Sequence, residues 1–147
     1  MSYISNSDIE LRLGTARYTQ LTDDTGSGTP DTDVADEARQ GAEGEVDSYL
    51  AQRYRVPIDL VVHEEAASVL KSVSLDLVEY RLHARRRAVP VEVINKRDAA
   101  LSWLQRVAGG EASLPAVTPI EPNPALGLRA ATTGEERTFS RDELQGL

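Results

Sequence analysis

The fold follows from a stretch in the middle of the chain, Asp47-Ser-Tyr-Leu-Ala-Gln-Arg-Tyr-Arg-Val-Pro57, together with Leu75-Asp-Leu-Val-Glu-Tyr-Arg-Leu-His-Ala-Arg-Arg86. The first part is typical of a helix that ends before Pro57, because proline cannot continue a helix and pushes the preceding residue toward an extended conformation. The second part is a helix that is apolar on two faces, which is more surface than one small domain usually buries. The pattern indicates packing and assembly rather than a catalytic pocket.

Two apolar stripes predict that this helix runs over residues 64–86 and is central. The main stripe keeps steps of four and three residues, and the second lies roughly opposite it at about 100° per residue. The main stripe is Ala66, Leu70, Val73, Leu77, Tyr80 and Ala84, and the second is Leu75, Val78 and Leu82.

Local start and stop signals predict three further helices. Ser7-Asp-Ile-Glu10 has the spacing of a capping box, and Pro90 suits the position just before a first helical turn. The four expected helices are 8–13, 32–54, 64–86 and 91–108. The predicted fold class is therefore all-α, a small four-helix domain over residues 1–110.

The last 37 residues have a different composition and are expected to form an extended tail, residues 111–147. Its prolines preclude a helix or a central strand, and segments 126–132 and 137–140 have the pattern of a weak β-hairpin. The tail's separately spaced apolar residues predict docking onto another chain. These anchors are Leu114, Val117, Ile120, Leu126, Leu128, Phe139 and Leu144.

The composition predicts one soluble domain made in a cytoplasm. The chain has 147 residues and no cysteine, which excludes disulfides and thiolate catalysis. No apolar run reaches the roughly 20 residues that a membrane helix needs, and the N-terminus lacks the features of a signal peptide. No membrane partner and no cofactor are expected.

The net charge of −8 is unevenly distributed. Residues 1–50 carry 11 acidic residues against 3 arginines, and residues 51–110 carry 10 basic against 7 acidic ones. The acidic residues of 1–50 and the basic residues of 51–110 either pair with each other within one fold or form complementary surfaces on the molecule. Complementary surfaces that do not coincide produce head-to-tail contacts, which close into rings when the rotation allows.

An Asp-rich loop, residues 21–33, partly matches the EF-hand pattern. With Asp23 as the first position, Thr25 and Ser27 fall at the third and fifth, but the twelfth is Val34 where calcium binding needs glutamate. A turn held by its own side chains is favoured over a calcium site.

Two short motifs give little support to an enzymatic function. Ser68-Val-Leu-Lys71 matches a serine–lysine pair, but its partner motifs are absent and it lies within a helix. His63-Glu64 begins like a zinc-protease motif, but Ala67 stands where the second histidine is required. The chain is expected not to be an enzyme.

The uneven charge distribution and the second apolar stripe of the central helix together predict a subunit interface. The acidic face of the long helix in one copy is expected to contact the basic end of the central helix in the next. The residues assigned to it are Asp36, Glu37, Glu43, Leu75, Val78, Leu82, Arg85, Arg86 and Arg87.

The chain resembles small neck proteins of Mu-like bacteriophages, a family similar to the helical head–tail connectors of long-tailed phages. The resemblance covers nearly the whole chain, although each motif is short. Its features are Tyr3-Ile4, the segment from Asp8 to Gly14, Gln20 to Asp24, Asp47 to Pro57, Leu75 to Leu82, and Thr138 to Gly146.

This resemblance implies a structural adaptor in the virion neck. It implies a ring, commonly of twelve copies, that sits under the portal, extends the DNA channel without sequence-specific contact, and meets the next neck or tail component. It implies that the C-terminal tail docks onto the portal or an adjacent subunit, and it provides no catalytic residues. Two other hypotheses stay open: a tail-side stopper or terminator, which is usually richer in β-structure, and a small DNA-binding regulator, which needs a basic recognition helix.

Overall fold

The computed structural model describes residues 2–121, and this part of the chain contains five α-helices and no strand. The predicted all-α class is confirmed, with one helix more than expected. The helices are α1 (Asn6–Leu13), α2 (Thr15–Thr22), α3 (Thr32–Leu50), α4 (Glu64–Ala84) and α5 (Val91–Gly109).

The N-terminal helix starts two residues earlier than the capping-box prediction. Its N-cap is Ser5, whose hydroxyl accepts the Asp8 N–H at 3.2 Å while the Asp8 carboxylate accepts the Ser5 N–H at 2.9 Å. Ile4 and Ile9 flank this box at the positions of a hydrophobic staple, and both are buried. The staple explains why Ser5 rather than Ser7 caps the helix.

The unpredicted helix α2 follows α1 directly. Gly14, at φ +81°, lies between them, in the left-handed region that glycine occupies without steric cost. Tyr18 and Leu21 of α2 are buried, three residues apart on one face. Together α1 and α2 form a short helical pair that lies against α3 and α4.

Helix α4 is the centre of the fold, as predicted, and it contacts all four other helices. The second stripe, Leu75, Val78 and Leu82, is buried within this one chain. The main stripe is buried from Ala66 to Leu77, whereas Tyr80 is half-buried and Ala84 is exposed. The second stripe is therefore not available to a neighbouring subunit. The extra apolar surface of α4, which suggested a subunit contact, is covered because α1, α2 and α5 pack around this helix.

Helices α3 and α4 are antiparallel and closely packed. Arg81 of α4 donates to Glu45 of α3 at 2.8 Å, and its guanidinium crosses α3 at Gly41. A Cβ atom at Gly41 would lie 2.8 Å from the Arg81 Nη1 atom. The glycine thus permits the arginine to cross, whereas Gly44 has nothing within 4 Å of a Cβ atom.

The connection between α3 and α4, residues 51–63, receives the first part of the predicted tail. Leu114 is 3 % exposed, and its N–H donates to the Tyr54 hydroxyl at 3.1 Å. The Ile120 N–H donates to the carbonyl of Arg53 at 2.6 Å. Residues 111–121 therefore pack on the helical core of their own chain.

This packing corrects part of the docking prediction. Leu114 belongs to the chain's own core and Val117 is partly buried against it, whereas Ile120 is 54 % exposed. Four other anchors and the hairpin lie outside the described residues, so the docking of residues 122–147 stays a prediction. Those anchors are Leu126, Leu128, Phe139 and Leu144.

Candidate functional site

The Asp47 to Pro57 stretch holds the N-terminal arm, residues 2–5, on the helical core. The Tyr3 hydroxyl donates to the carboxylate of Asp47 and accepts the buried N–H of Ile58 at 3.0 Å. Tyr3 and Ile4 are both buried. The short motifs at the N-terminus and after Asp47 therefore meet in space at one hydrogen-bonded node.

A second carboxylate on α3 completes this attachment. Glu43 Oε1 accepts the Tyr3 N–H at 2.7 Å, the Ile4 N–H at 3.0 Å and the Ser2 hydroxyl at 2.6 Å. Asp36 accepts from Asn6 Nδ2 at 2.9 Å and from Arg39 at 3.0 Å. Asp36 and Glu43, both assigned to a subunit interface, thus bond within their own chain.

Burial governs the protonation of this node. It raises the pKa of Asp47, an effect that the Tyr3 hydrogen bond partly offsets. Burial, followed by the hydrogen bond to Asp47, also raises the pKa of the Tyr3 hydroxyl well above its usual value. The node therefore favours a neutral tyrosine, and the charged form of Asp47 is disfavoured by the loss of water around it.

The Asp-rich loop is a self-bonded turn, as its sequence favoured. Asp23 Oδ1 accepts the N–H groups of Thr25, Gly26 and Ser27 at 3.1, 2.8 and 3.1 Å, and Oδ2 accepts the Gly28 N–H at 2.7 Å. These bonds, that of Gly28 most of all, lower the pKa of Asp23 to about 2. The carboxylate is occupied by backbone donors.

The basic end of α4 fastens this turn. Asp24 pairs with Arg85 at 2.5 Å and with Arg86 at 3.0 Å. Arg85 also donates to the carbonyl of Leu21 and Arg86 to that of Asp23. Arg87 is exposed at φ +64° and forms no ion pair with any residue of the described part.

A groove of about 560 Å³ lies between α3 and α4, with Arg97 of α5 at its edge. Small and apolar side chains form part of its lining, among them Val34, Ala38, Leu77 and Ala84. The charged lining consists of Glu37, Glu45, Arg81, Arg85 and Arg97. Two residues of the predicted interface, Glu37 and Arg85, thus meet at this groove.

Two of the groove's arginines are held in place. Arg81 pairs with Glu45 at 2.8 Å, and the Arg97 guanidinium lies over the Tyr80 ring, 4.6 Å from its centre. Cations above an aromatic face are attracted by the ring's quadrupole. The groove therefore presents positioned guanidinium groups beside an apolar floor.

The most exposed apolar pair in the described residues lies at the other end of the helical pair α3–α4. Val61 and Val62 are 74 % and 69 % exposed in the connection that precedes α4. Asp59 Oδ1 accepts the Val61 N–H at 2.9 Å and so shapes this tip. The remaining exposed large apolar side chains are Leu11, Val91 and Ile120.

The residues considered for catalysis take part in ordinary structural contacts. Lys71 pairs with Asp8 at 2.6 Å rather than with Ser68, and His63 Nδ1 lies 3.1 Å from the carbonyl of Ala116. Within residues 2–121, no group of three or more His, Asp or Glu side chains is arranged to hold a metal ion. No helix in that range is long and apolar enough to cross a membrane.

Residues 2–121 thus form a small helical domain in which many charged side chains bind other segments of the same chain. Residues 3–131 match the family described as Bacteriophage Mu, Gp36, and the chain belongs to that family. It is a protein of Mu-like bacteriophages, and the family indicates a structural or morphogenesis role. No curated protein matches the chain.

Proposed function

We propose that this protein is a head–tail connector, an adaptor that forms a ring beneath the portal and extends the DNA channel in the virion neck. Its partners in this proposal are further copies of itself, the portal, and the next neck or tail component. DNA passes through the ring without sequence-specific contact to the protein, and the protein catalyses no chemical reaction.

The helical fold of residues 2–121 is the observation that carries this proposal. Membership in a Mu phage family restricts the choice to phage proteins, and a stopper or tail terminator, the main alternative, is usually richer in β-structure. The described residues form five helices and no strand. The helical adaptor is thus the better fit among neck proteins.

The electrostatic surface argues against the DNA-binding regulator. Arg85 and Arg86, the core of the basic cluster, are paired with Asp24, so they are not a row of cations available for phosphates. Exposed acidic groups gather instead at the first turns of α3, at Asp31, Asp33 and Glu37. Carboxylates on a channel wall repel phosphates and let DNA slide.

Electron microscopy of the purified full chain, alone and mixed with its portal, tests the proposal. The expected result is a ring, or a ring-shaped density added beneath the portal. Binding to duplex DNA at low salt is expected to be undetectable. A chain that neither self-assembles nor joins the portal, but binds DNA, would overturn the adaptor function.

A further inference from the structure

We propose that one end of the helical bundle, formed by residues 59–65 and 115–121, docks on the portal by inserting its exposed valines into an apolar recess edged by basic side chains. The inference rests on the connector function proposed above and names the surface that makes the contact. The two segments, together called the docking end, come from the α3–α4 connection with the start of α4 and from the chain after α5.

Contacts within the chain bring the two segments of the docking end together. His63 Nδ1 lies 3.1 Å from the carbonyl oxygen of Ala116, 53 residues further along the chain. The Ile120 N–H donates to the carbonyl of Arg53 at 2.6 Å. Leu114, which is 3 % exposed, anchors the second segment in the core. The docking end is therefore one surface built from two distant parts of the sequence.

The docking end carries three of the five large apolar side chains that are exposed within residues 2–121. Val61, Val62 and Ile120 are 74 %, 69 % and 54 % exposed. Asp59 fixes the turn that presents the valines, because its Oδ1 accepts the Val61 N–H and its carbonyl accepts the His63 N–H, both at 2.9 Å. A preformed turn loses little conformational entropy on binding. Grouped exposed apolar residues rimmed by charge are typical of an interaction surface.

Acidic side chains surround these apolar residues. The two segments contain no lysine or arginine, and the nearest arginines in the sequence, Arg53 and Arg55, are outnumbered by the carboxylates. A partner that buries this surface needs basic side chains around its apolar recess, because unpaired charges are costly to remove from water. Four carboxylates without an ion pair to any residue of the described chain form the rim: Asp59, Glu64, Glu65 and Glu121.

Two concave surfaces of the described chain do not provide such a recess, which argues against a second copy as the partner. The arginines of the α3–α4 groove are already paired with Glu45, Asp24 and Asp98. The groove's other glutamate, Glu37, would repel the acidic docking end. The shallow recess between α4 and α5, which Trp103 lines, has no basic residue. The docking end therefore fits a different protein.

The course of the chain favours the portal as that protein. The described domain ends at residue 121 within the docking end, so residues 122–147 continue from this surface. The tail is expected to dock onto the portal or an adjacent subunit, and the two concave surfaces considered on a second copy do not match the docking end. The tail and the docking end then bind the same partner, and the folded surface adds its contacts to those of the tail.

Binding of full-length variants to purified portal protein tests the apolar part of this surface. Val61→Asp with Val62→Asp is expected to weaken binding at least about tenfold, because a few central side chains carry most of the free energy of an interface. Leu11→Asp and Val91→Asp are the matched controls and should bind like the wild type. Their side chains are 83 % and 70 % exposed and lie on α1 and α5. Circular dichroism checks that every variant keeps the helical fold.

Charge reversal tests the acidic rim. Glu64→Lys with Glu65→Lys is expected to weaken binding to the portal, more at low than at high salt, since salt screens exposed charges. Glu92→Lys is the control, because Glu92 is also an acidic residue in the first turn of a helix but belongs to α5. It should leave binding unchanged at both salt concentrations.

A photo-reactive benzoylphenylalanine in place of Val62 identifies the partner directly. In a mixture of the full chain and the portal, it is expected to form a covalent adduct with the portal. The same group in place of Leu11 should give no such adduct. Electron microscopy of the valine and glutamate variants alone is expected to show the same rings as the wild type, because the docking end does not join copies to one another.

The outcomes separate this contact from the connector proposal. Portal binding that tolerates both sets of substitutions, an adduct with another copy, or variants that lose their rings would overturn the docking end and leave the connector function standing. A wild-type chain that does not bind the portal would overturn both.

Discussion

The hydroxyl of Tyr3 donates a hydrogen bond to the carboxylate of Asp47, 44 residues further along the chain. The same hydroxyl accepts the backbone N–H of Ile58. One phenol group therefore joins the N-terminal arm, helix α3 and the α3–α4 connection. Removing it leaves two polar groups without their partner.

Tyr3→Phe is expected to lower the free energy of unfolding by about 1–3 kcal/mol, the cost of leaving buried polar groups unsatisfied. Chemical denaturation measures this change. Tyr49→Phe is the matched control, because the Tyr49 hydroxyl makes no hydrogen bond within residues 2–121. Equal effects of the two substitutions would contradict the role assigned to the Tyr3 hydroxyl.

The pH dependence of stability carries the signature of Asp47. Because burial raises its pKa in the folded state, Asp47 makes folding bind a proton, and its contribution is lost as pH rises from its unfolded pKa through the higher folded one. Asp47→Asn keeps an acceptor for Tyr3 and removes this slope. The expected gain in the free energy of unfolding from this substitution appears above that window and vanishes at lower pH.

Asp23 is expected to show the opposite sign. Its folded pKa is lowered to about 2, so its contribution to stability is present above its unfolded pKa and is lost as pH falls toward 2. Asp23→Asn should therefore destabilise the protein at neutral pH and have little effect near pH 2. Thermal unfolding over this pH range measures both limits.

Calcium is expected to leave the Asp23 turn unchanged. Both carboxylate oxygens of Asp23 already accept backbone N–H groups, and Val34 occupies the position where an EF-hand places its bidentate glutamate. Calorimetry should detect no calcium binding at micromolar affinity, and the melting temperature should be the same in calcium and in chelator. A stabilisation of several degrees by calcium would refute this expectation.

The two glycines of α3 predict opposite outcomes. Gly44→Ala is expected to raise the free energy of unfolding by about 1 kcal/mol, because alanine is the better helix former and the space is open. Gly41→Ala must displace the Arg81 guanidinium from its pairing with Glu45. It should gain less than Gly44→Ala or lose stability. Identical gains at both positions would show that Arg81 is not held there.

The basic end of α4 is expected to act within its own chain. Arg85→Ala combined with Arg86→Ala should lower the free energy of unfolding by about 1 kcal/mol, less at high salt, since partly exposed ion pairs are weak and screened. Arg87→Ala, without an ion pair in the described residues, is the control and should be neutral. Chemical denaturation at two salt concentrations separates these cases.

The regular spacing of apolar residues made the long helices predictable. It did not predict the short helix α2 or the exact end of α3. Helix α4 repeats its apolar steps over 21 residues, whereas α2 has eight residues and one buried pair, Tyr18 and Leu21, plus Thr22. So short a pattern does not rise above chance. The same limit applies to the end of α3, where Tyr54 continues the apolar spacing but lies in the connection.

The sequence located the charged residues of interest without revealing their partners. Asp36 and Glu43 were predicted to belong to an acidic interface, yet each binds a group of the same chain. Arg85 and Arg86 read as a free basic end, yet Asp24 neutralises them. These pairs join residues dozens of positions apart, and a helical pattern contains no information about such distances. The α3–α4 groove could not be predicted from the sequence either, because it is formed by the packing of three helices.

The segment Arg53 to Ile58 binds both terminal segments of the described chain. It binds Tyr3 through the Ile58 N–H, Leu114 through the Tyr54 hydroxyl, and Ile120 through the Arg53 carbonyl. Tension applied to the chain beyond residue 121 would therefore act first on the Ile120–Arg53 hydrogen bond of this connection. A force from a partner bound to the C-terminal region would thus be transmitted to the segment that also binds Tyr3. This connection is therefore a mechanical junction between the two ends of the described chain.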